Sequence, residues 1–138
     1  MRRGIRLTSK TLAKKIARFT LTKKAHAVTI LDLRKLTDMA DFFIVCSADS
    51  DTQVKAIADA VMEETEKIGI AAWHREGLSH RQWVLLDYVD VVVHIFHREA
   101  RKFYGLEKLW GDAKIEIVTD EIPVKRAPAR KRKTVKAK

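Results

Sequence analysis

Between residues 70 and 97 three apolar runs, IAAWHRE, QWVLLDY and DVVVHIFH, follow one another with only a few residues between them. Neighbouring parallel strands need a crossover of about a dozen residues or more, usually a helix, so this part of the chain cannot be built from repeating βαβ units. Upstream, HAVTILDL (26–33) and DFFIVCSA (41–48) are two more strand-like runs, separated by the turn-prone TDMAD, and form a candidate hairpin. The period then changes. From Asp51 to Ile68 the apolar positions Val54, Ile57, Ala58, Val61, Met62 and Ile68 trace one helical stripe, with Ser50 or Asp51 as cap and Gly69 as stop. Residues 9–21 show the same spacing through Leu12, Ile16 and Phe19, with Ser9 as cap. After the last strand, REARKFYGLEKLWG returns to helical spacing through Ala100, Phe103, Tyr104 and Trp110. The order αββαβββα predicts a single-domain, mixed-sheet α/β sandwich rather than a doubly wound parallel sheet.

Charge divides the chain differently. The 28 Lys and Arg exceed the 18 Asp and Glu by 10, yet 17 of those basic residues lie in 1–24 and 125–138, where there is no acid. Residues 25–124 therefore carry 11 basic against 18 acidic residues, a net charge of −7. An acidic domain with basic ends repels a phosphate backbone unless its charges are locally sorted, and it suits a basic protein partner. The expected boundaries are a basic extension at 1–8, a domain at 9–117 and a tail at 118–138, too polar to fold alone. The lone Cys46, inside an apolar run, reads as a buried reduced thiol and favours the cytoplasm. No run approaches the roughly 20 apolar residues that span a bilayer, so no membrane association is expected.

The stretch WVLLDYVDVVVHIF holds the carboxylates that most resemble a catalytic pair, Asp87 and Asp90. On one continuous strand their odd spacing puts them on opposite faces; with a turn at Tyr88 and Val89 both become turn residues that can bond backbone amides. A two-residue primed turn needs positive φ at Val89, which a β-branched residue resists, so a turn of another type or length is expected. Gathering Asp38, Asp41, Asp87 and Asp90 around paired metals would make a nucleotidyltransferase, but no glycine-rich phosphate loop accompanies them. The five histidines form no HExxH pair, and no motif activates Cys46 or Ser47 as a nucleophile. Trp83, Tyr88, Tyr104 and Trp110 are either core or the anchors of a protein-binding patch.

The segment TDMADFFIVCSADSDTQVKAIADAV, then EG, then WVLLDYVDVVVHIFHREARKFYGLEKLWGDA resemble the ribosome-silencing factor family, also called Iojap-related. The likeness runs from about Lys10 to Ala113. It implies an α/β sandwich related to nucleotidyltransferases but without a catalytic site, and a translation repressor with no cofactor or metal. Family members bind the large ribosomal subunit through ribosomal protein L-fourteen and block joining of the small subunit when nutrients are short. Carried over by position, the resemblance implies a ribosomal-protein-binding surface of Trp83, Asp87, Tyr88, Asp90, His94, Tyr104, Leu109 and Trp110. Trp83, Tyr88 and Leu109 are the expected apolar contacts; Asp87 or Asp90 would pair with basic groups. The family usually has Gly between the tyrosine and the second aspartate, where this chain has Val89. Contact with ribosomal RNA is expected of the basic ends, and oligomeric state stays open between a monomer and a homodimer of the free protein. Two readings from other classes remain: a metal-dependent nucleotidyltransferase, and a general RNA-binding protein acting through its basic tails.

Overall fold

The computed structural model describes residues 7–119. The basic tail expected beyond that point and most of the N-terminal extension lie outside the described residues. The chain order is α1 (Ser9–Leu21), β1 (His26–Asp32), β2 (Phe42–Ala48), α2 (Asp51–Lys67), β3 (His74–Glu76), β4 (Trp83–Asp87), β5 (Val91–His97), α3 (Arg98–Tyr104), α4 (Leu106–Leu109) and β6 (Lys114–Val118). The expected mixed α/β domain is present, with differences at its C-terminal end. The last helix is split, because Gly105 adopts a left-handed φ of 56° and closes α3. A sixth strand follows; its sequence KIEIV alternates, but it is short and lies beside the charged chain end. The run expected at 70–76 keeps only three strand residues.

The six strands form one sheet in the order β3-β4-β5-β2-β1-β6. β1 and β2 pair antiparallel, as the hairpin expectation required. Among the described residues the one parallel contact is β2 with β5, and the chain between them contains α2, β3 and β4. On one face α1 and α2 cover the sheet, burying Leu12, Ile16, Val54, Ile57 and Val61 against Ile30, Ile44, Val93 and Ile95. The caps explain where these helices start. Thr8, not Ser9, caps α1 by accepting from the Thr11 N–H at 3.1 Å, which frees the Ser9 hydroxyl to donate to Asp41 at 2.7 Å. Ser50 caps α2 through the Gln53 N–H, and Gly69 at φ 84° ends it, its N–H and that of Ile70 returning to the carbonyls of Glu66 and Thr65.

The other face is only partly covered. Leu31, Phe43, Val45, Val92 and Phe96 are buried there with Leu106 and Ala113, while Trp83, Leu85, Ala100 and Trp110 close over them incompletely. This unequal coverage creates the site described next.

Candidate functional site

Strand alternation sends Trp83, Leu85 and Asp87 of β4 to the partly covered face, opposite Phe96, His94 and Val92 of β5. Across this face runs a row of aromatic rings. Trp83 lies 5.0 Å from Phe96 and 4.7 Å from Tyr104, Phe103 meets Tyr104 edge-on at 5.1 Å, and Phe43 joins His94 to Trp110. The inner rings are core; the outer ones reach solvent. Phe103 is 82 % exposed, Leu109 73 % and Tyr104 50 %, while Trp83 and Trp110 are half-buried. Residues this apolar rarely stand together on a monomer's surface without a partner.

His94 sits beneath the row, 3 % exposed, as a support and not a contact. Trp83 Nε1 donates to His94 Nδ1 at 3.0 Å. An indole N–H only donates, so Nδ1 is the bare nitrogen and the ring carries its proton on Nε2, which has no partner among the described residues. Burial pushes the imidazole down to about 4, so the ring is neutral at ordinary pH. The bond fixes the edge of Trp83, whose ring packs on Phe96 and Tyr104 and stays half-exposed.

The turn between β4 and β5 settles the two aspartates. Asp87 Oδ1 accepts from the Val89 N–H at 2.7 Å, Asp90 N–H donates to the Tyr88 carbonyl at 3.0 Å, and Tyr88 N–H donates to the Val91 carbonyl at 2.8 Å. The bond from Asp90 back to Tyr88 closes a three-residue γ-turn centred on Val89, whose φ is 75°. The expectation of another turn type is met; the expectation that Val89 avoids positive φ is overturned, because the flanking strands fix both ends of so short a connection. Asp87 is half-buried and Asp90 exposed at the rim.

Tyr88 requires a correction. One residue beyond Asp87, it points to the opposite face, is 7 % exposed, and shares a 2.9 Å hydrogen bond between its hydroxyl and that of Thr65 on α2. Burial raises its phenol pKa despite that bond. Tyr88 is therefore a core residue and no docking contact. Of the eight expected contacts, the face gathers Trp83, Asp87, Tyr104 and Trp110, with Leu109 exposed on the neighbouring α4, Asp90 at the rim and His94 underneath.

Two contributors were missed. Phe103 reads as core if one stripe runs from Ala100 to Trp110, but the break at Gly105 resets the helical phase and leaves it outside. Arg101 carries no motif at all. Its side chain crosses from α3 to the sheet, donating to the Ala27 carbonyl (2.8 Å), the Ser47 hydroxyl (2.9 Å) and Thr29 (3.3 Å), and it pairs with Glu107 of α4 through Nε and Nη2. All five guanidinium hydrogens are engaged, so one residue pins both short helices that present the aromatic row. Only a three-dimensional view reveals this, since its partners lie up to 74 positions away.

Among the described residues no three His, Cys, Asp or Glu side chains are grouped to hold a metal. Asp41 is engaged by Ser9 and Asp87 by the turn. Cys46 is fully buried and its thiol is pushed up to about 12 by desolvation, which removes its nucleophilic form.

The model of the family described as "Ribosomal silencing factor during starvation" matches residues 6–138. The chain belongs to the ribosomal silencing factor family. The ribosomal silencing factor of Bacillus subtilis is 44 % identical over 91 residues, covering 66 % of this chain and 77 % of that protein. The chloroplastic Iojap protein of Zea mays is 37 % identical over 90 residues, covering 65 % of this chain and 39 % of its own length. A crystal structure from Chromobacterium violaceum superposes with a TM-score of 0.75 at 32 % identity, covering 82 % of this chain and 94 % of that one. One from Bacillus halodurans gives 0.62 at 39 %, covering 72 % and 90 %. No helix among the described residues is long and apolar enough to cross a membrane.

Proposed function

We propose that this member of the silencing family represses translation in the cytoplasm by docking on the large ribosomal subunit and occluding the surface the small subunit needs, most of all when nutrients are limiting. The observation that carries this reading is the row of solvent-facing rings, with Leu109 exposed nearby in the chain and the carboxylates Asp87 and Asp90 at the β4–β5 turn. Ribosomal protein L-fourteen is the proposed partner. Trp83, Phe103, Tyr104, Leu109 and Trp110 supply the apolar centre, and Asp87 and Asp90 stand at the rim, where carboxylates steer a basic partner and fix its register more than they add affinity. His94 and Arg101 hold the anchors in place without touching the partner. Steric exclusion needs no chemistry: the bound domain occupies space. The basic ends beyond the described residues add salt-dependent contact with ribosomal RNA.

Leu109 is the cleanest probe because its exposure means that truncation leaves the fold intact. Leu109→Ala should weaken co-sedimentation with isolated large subunits by about 2 kcal/mol, roughly thirty-fold in Kd, with an unchanged melting temperature. Native affinity in Leu109→Ala and Phe103→Ala alike would remove this face from the interface.

A further inference from the structure

The described residues carry 17 basic against 16 acidic side chains, near balance, so a polyanion can be held only where cations cluster locally. Exposed acids are spread over the described surface, four of them on α2 and the rest on strands, loops and turns, whereas basic residues cluster at one place. Along the β1–β6 edge of the sheet, two adjoining cavities of about 440 and 480 Å³ share Asp32, Arg34 and Lys114 and so form one elongated trough. Lys10 and Lys14, four residues apart on α1, stand on one wall; Lys114 of β6 faces them; Arg34 and Lys35 carry the cationic lining into the second cavity.

Three carboxylates also line it, and the geometry accounts for two. Arg34 grips Asp32 through Nε at 3.0 Å and Nη2 at 2.7 Å, and Lys14 approaches Glu116 at 4.0 Å. Asp112 lines the second cavity. Lys10, Lys35 and Lys114 form no ion pair among the described residues. The Arg34 guanidinium is also set 4.9 Å over the ring of Phe42, which together with Asp32 holds it flat and leaves its Nη1 hydrogens for an incoming anion.

We propose that this trough binds the sugar-phosphate backbone of RNA. A channel along which Lys10, Lys114 and Lys35 stand without ion pairs among the described residues presents cations in series to a chain of phosphates; a mononucleotide site would need a ring to stack its base, and Phe42 is buried under Arg34. A concave channel between a helix and a strand does not fit the plane of a bilayer. Recognition here is by phosphate and therefore sequence-blind. The trough lies on the helix-covered side at the β1–β6 edge and the aromatic row on the opposite side around β4 and β5, so a protein and an RNA strand can be held together. The inference does not rest on the silencing reading, and its test uses isolated RNA.

The test is fluorescence anisotropy of a short labelled single-stranded RNA titrated with the full chain across a salt series, comparing the native protein with Lys10→Gln/Lys35→Gln/Lys114→Gln. Each lost phosphate contact lowers the slope of log K against log salt by roughly 0.7, so the triple substitution should reduce it by about 2 and weaken binding at least ten-fold at low salt. A control triple, Lys55→Gln/Lys67→Gln/Lys102→Gln, removes the same charge outside the trough and should leave most of the slope. Equal losses in both variants, an unchanged slope in the trough variant, or loss of binding to anionic phosphatidylserine vesicles with RNA binding intact would each overturn the assignment.

Discussion

Trp83, His94 and Val89 show how single residues fix the proposed docking face. The Trp83–His94 bond places a neutral imidazole inside an apolar layer, and its low pKa has a measurable consequence. The unfolded chain takes up a proton near pH 6.5 while the folded ring resists until about 4, so this group withdraws stability as pH falls between those values. The loss amounts to up to about 3 kcal/mol. His94→Gln keeps a hydrogen-bond acceptor but cannot titrate, and denaturant unfolding at pH 7 and pH 4.5 should show a smaller drop for it than for the native protein. Identical drops would place the titration elsewhere. Val89 stores strain of the opposite kind: a β-branched residue at φ 75° on an exposed turn. Val89→Gly should raise stability by about 1 kcal/mol, read from the denaturation midpoint, because relief of left-handed strain exceeds the added chain entropy.

At the scale of elements, the short helices α3 and α4 are too brief to stand alone and depend on what ties them down. Arg101 is that tie, so Arg101→Ala should cost about 3 kcal/mol and increase hydrogen exchange over residues 98–110 before the rest of the domain. Uniform exchange would mean the helices are held by packing alone. Gly77 serves β4 in a similar way: at φ 85°, a Cβ on it would lie 2.0 Å from the Trp83 carbonyl, so Gly77→Ala must displace the strand that carries the central anchor. The major elements are legible in the chain because each has its own period: α1, β1, β2 and α2 follow from stripes and alternation within a residue or so of their ends. The C-terminal part is not, for physical reasons. One glycine in the left-handed region breaks a stripe that otherwise reads as continuous, and β6 is a five-residue edge strand specified by its pairing with β1 rather than by its own composition. The site divides likewise. Apolar aromatics near the chain's end suggest a patch, but which side of the sheet each occupies depends on register, and that is how Tyr88 falls to the core and Phe103 to the surface.

The described residues place an aromatic row on one side of the sheet and a trough rich in basic residues on the other, at the β1–β6 edge. Under the proposed function the domain acts by occupying space between two surfaces. The buried thiol of Cys46 fits the same picture, being shielded rather than poised. The central claim is that occupation of the large subunit excludes the small one. Its most direct measurement is subunit joining, followed by light scattering, with the protein titrated against isolated large subunits before small subunits are added. Joining should fall in proportion to occupancy and approach zero at saturation, with Leu109→Ala shifting the titration roughly thirty-fold to higher concentration. Full joining on large subunits shown by co-sedimentation to be saturated would contradict the account.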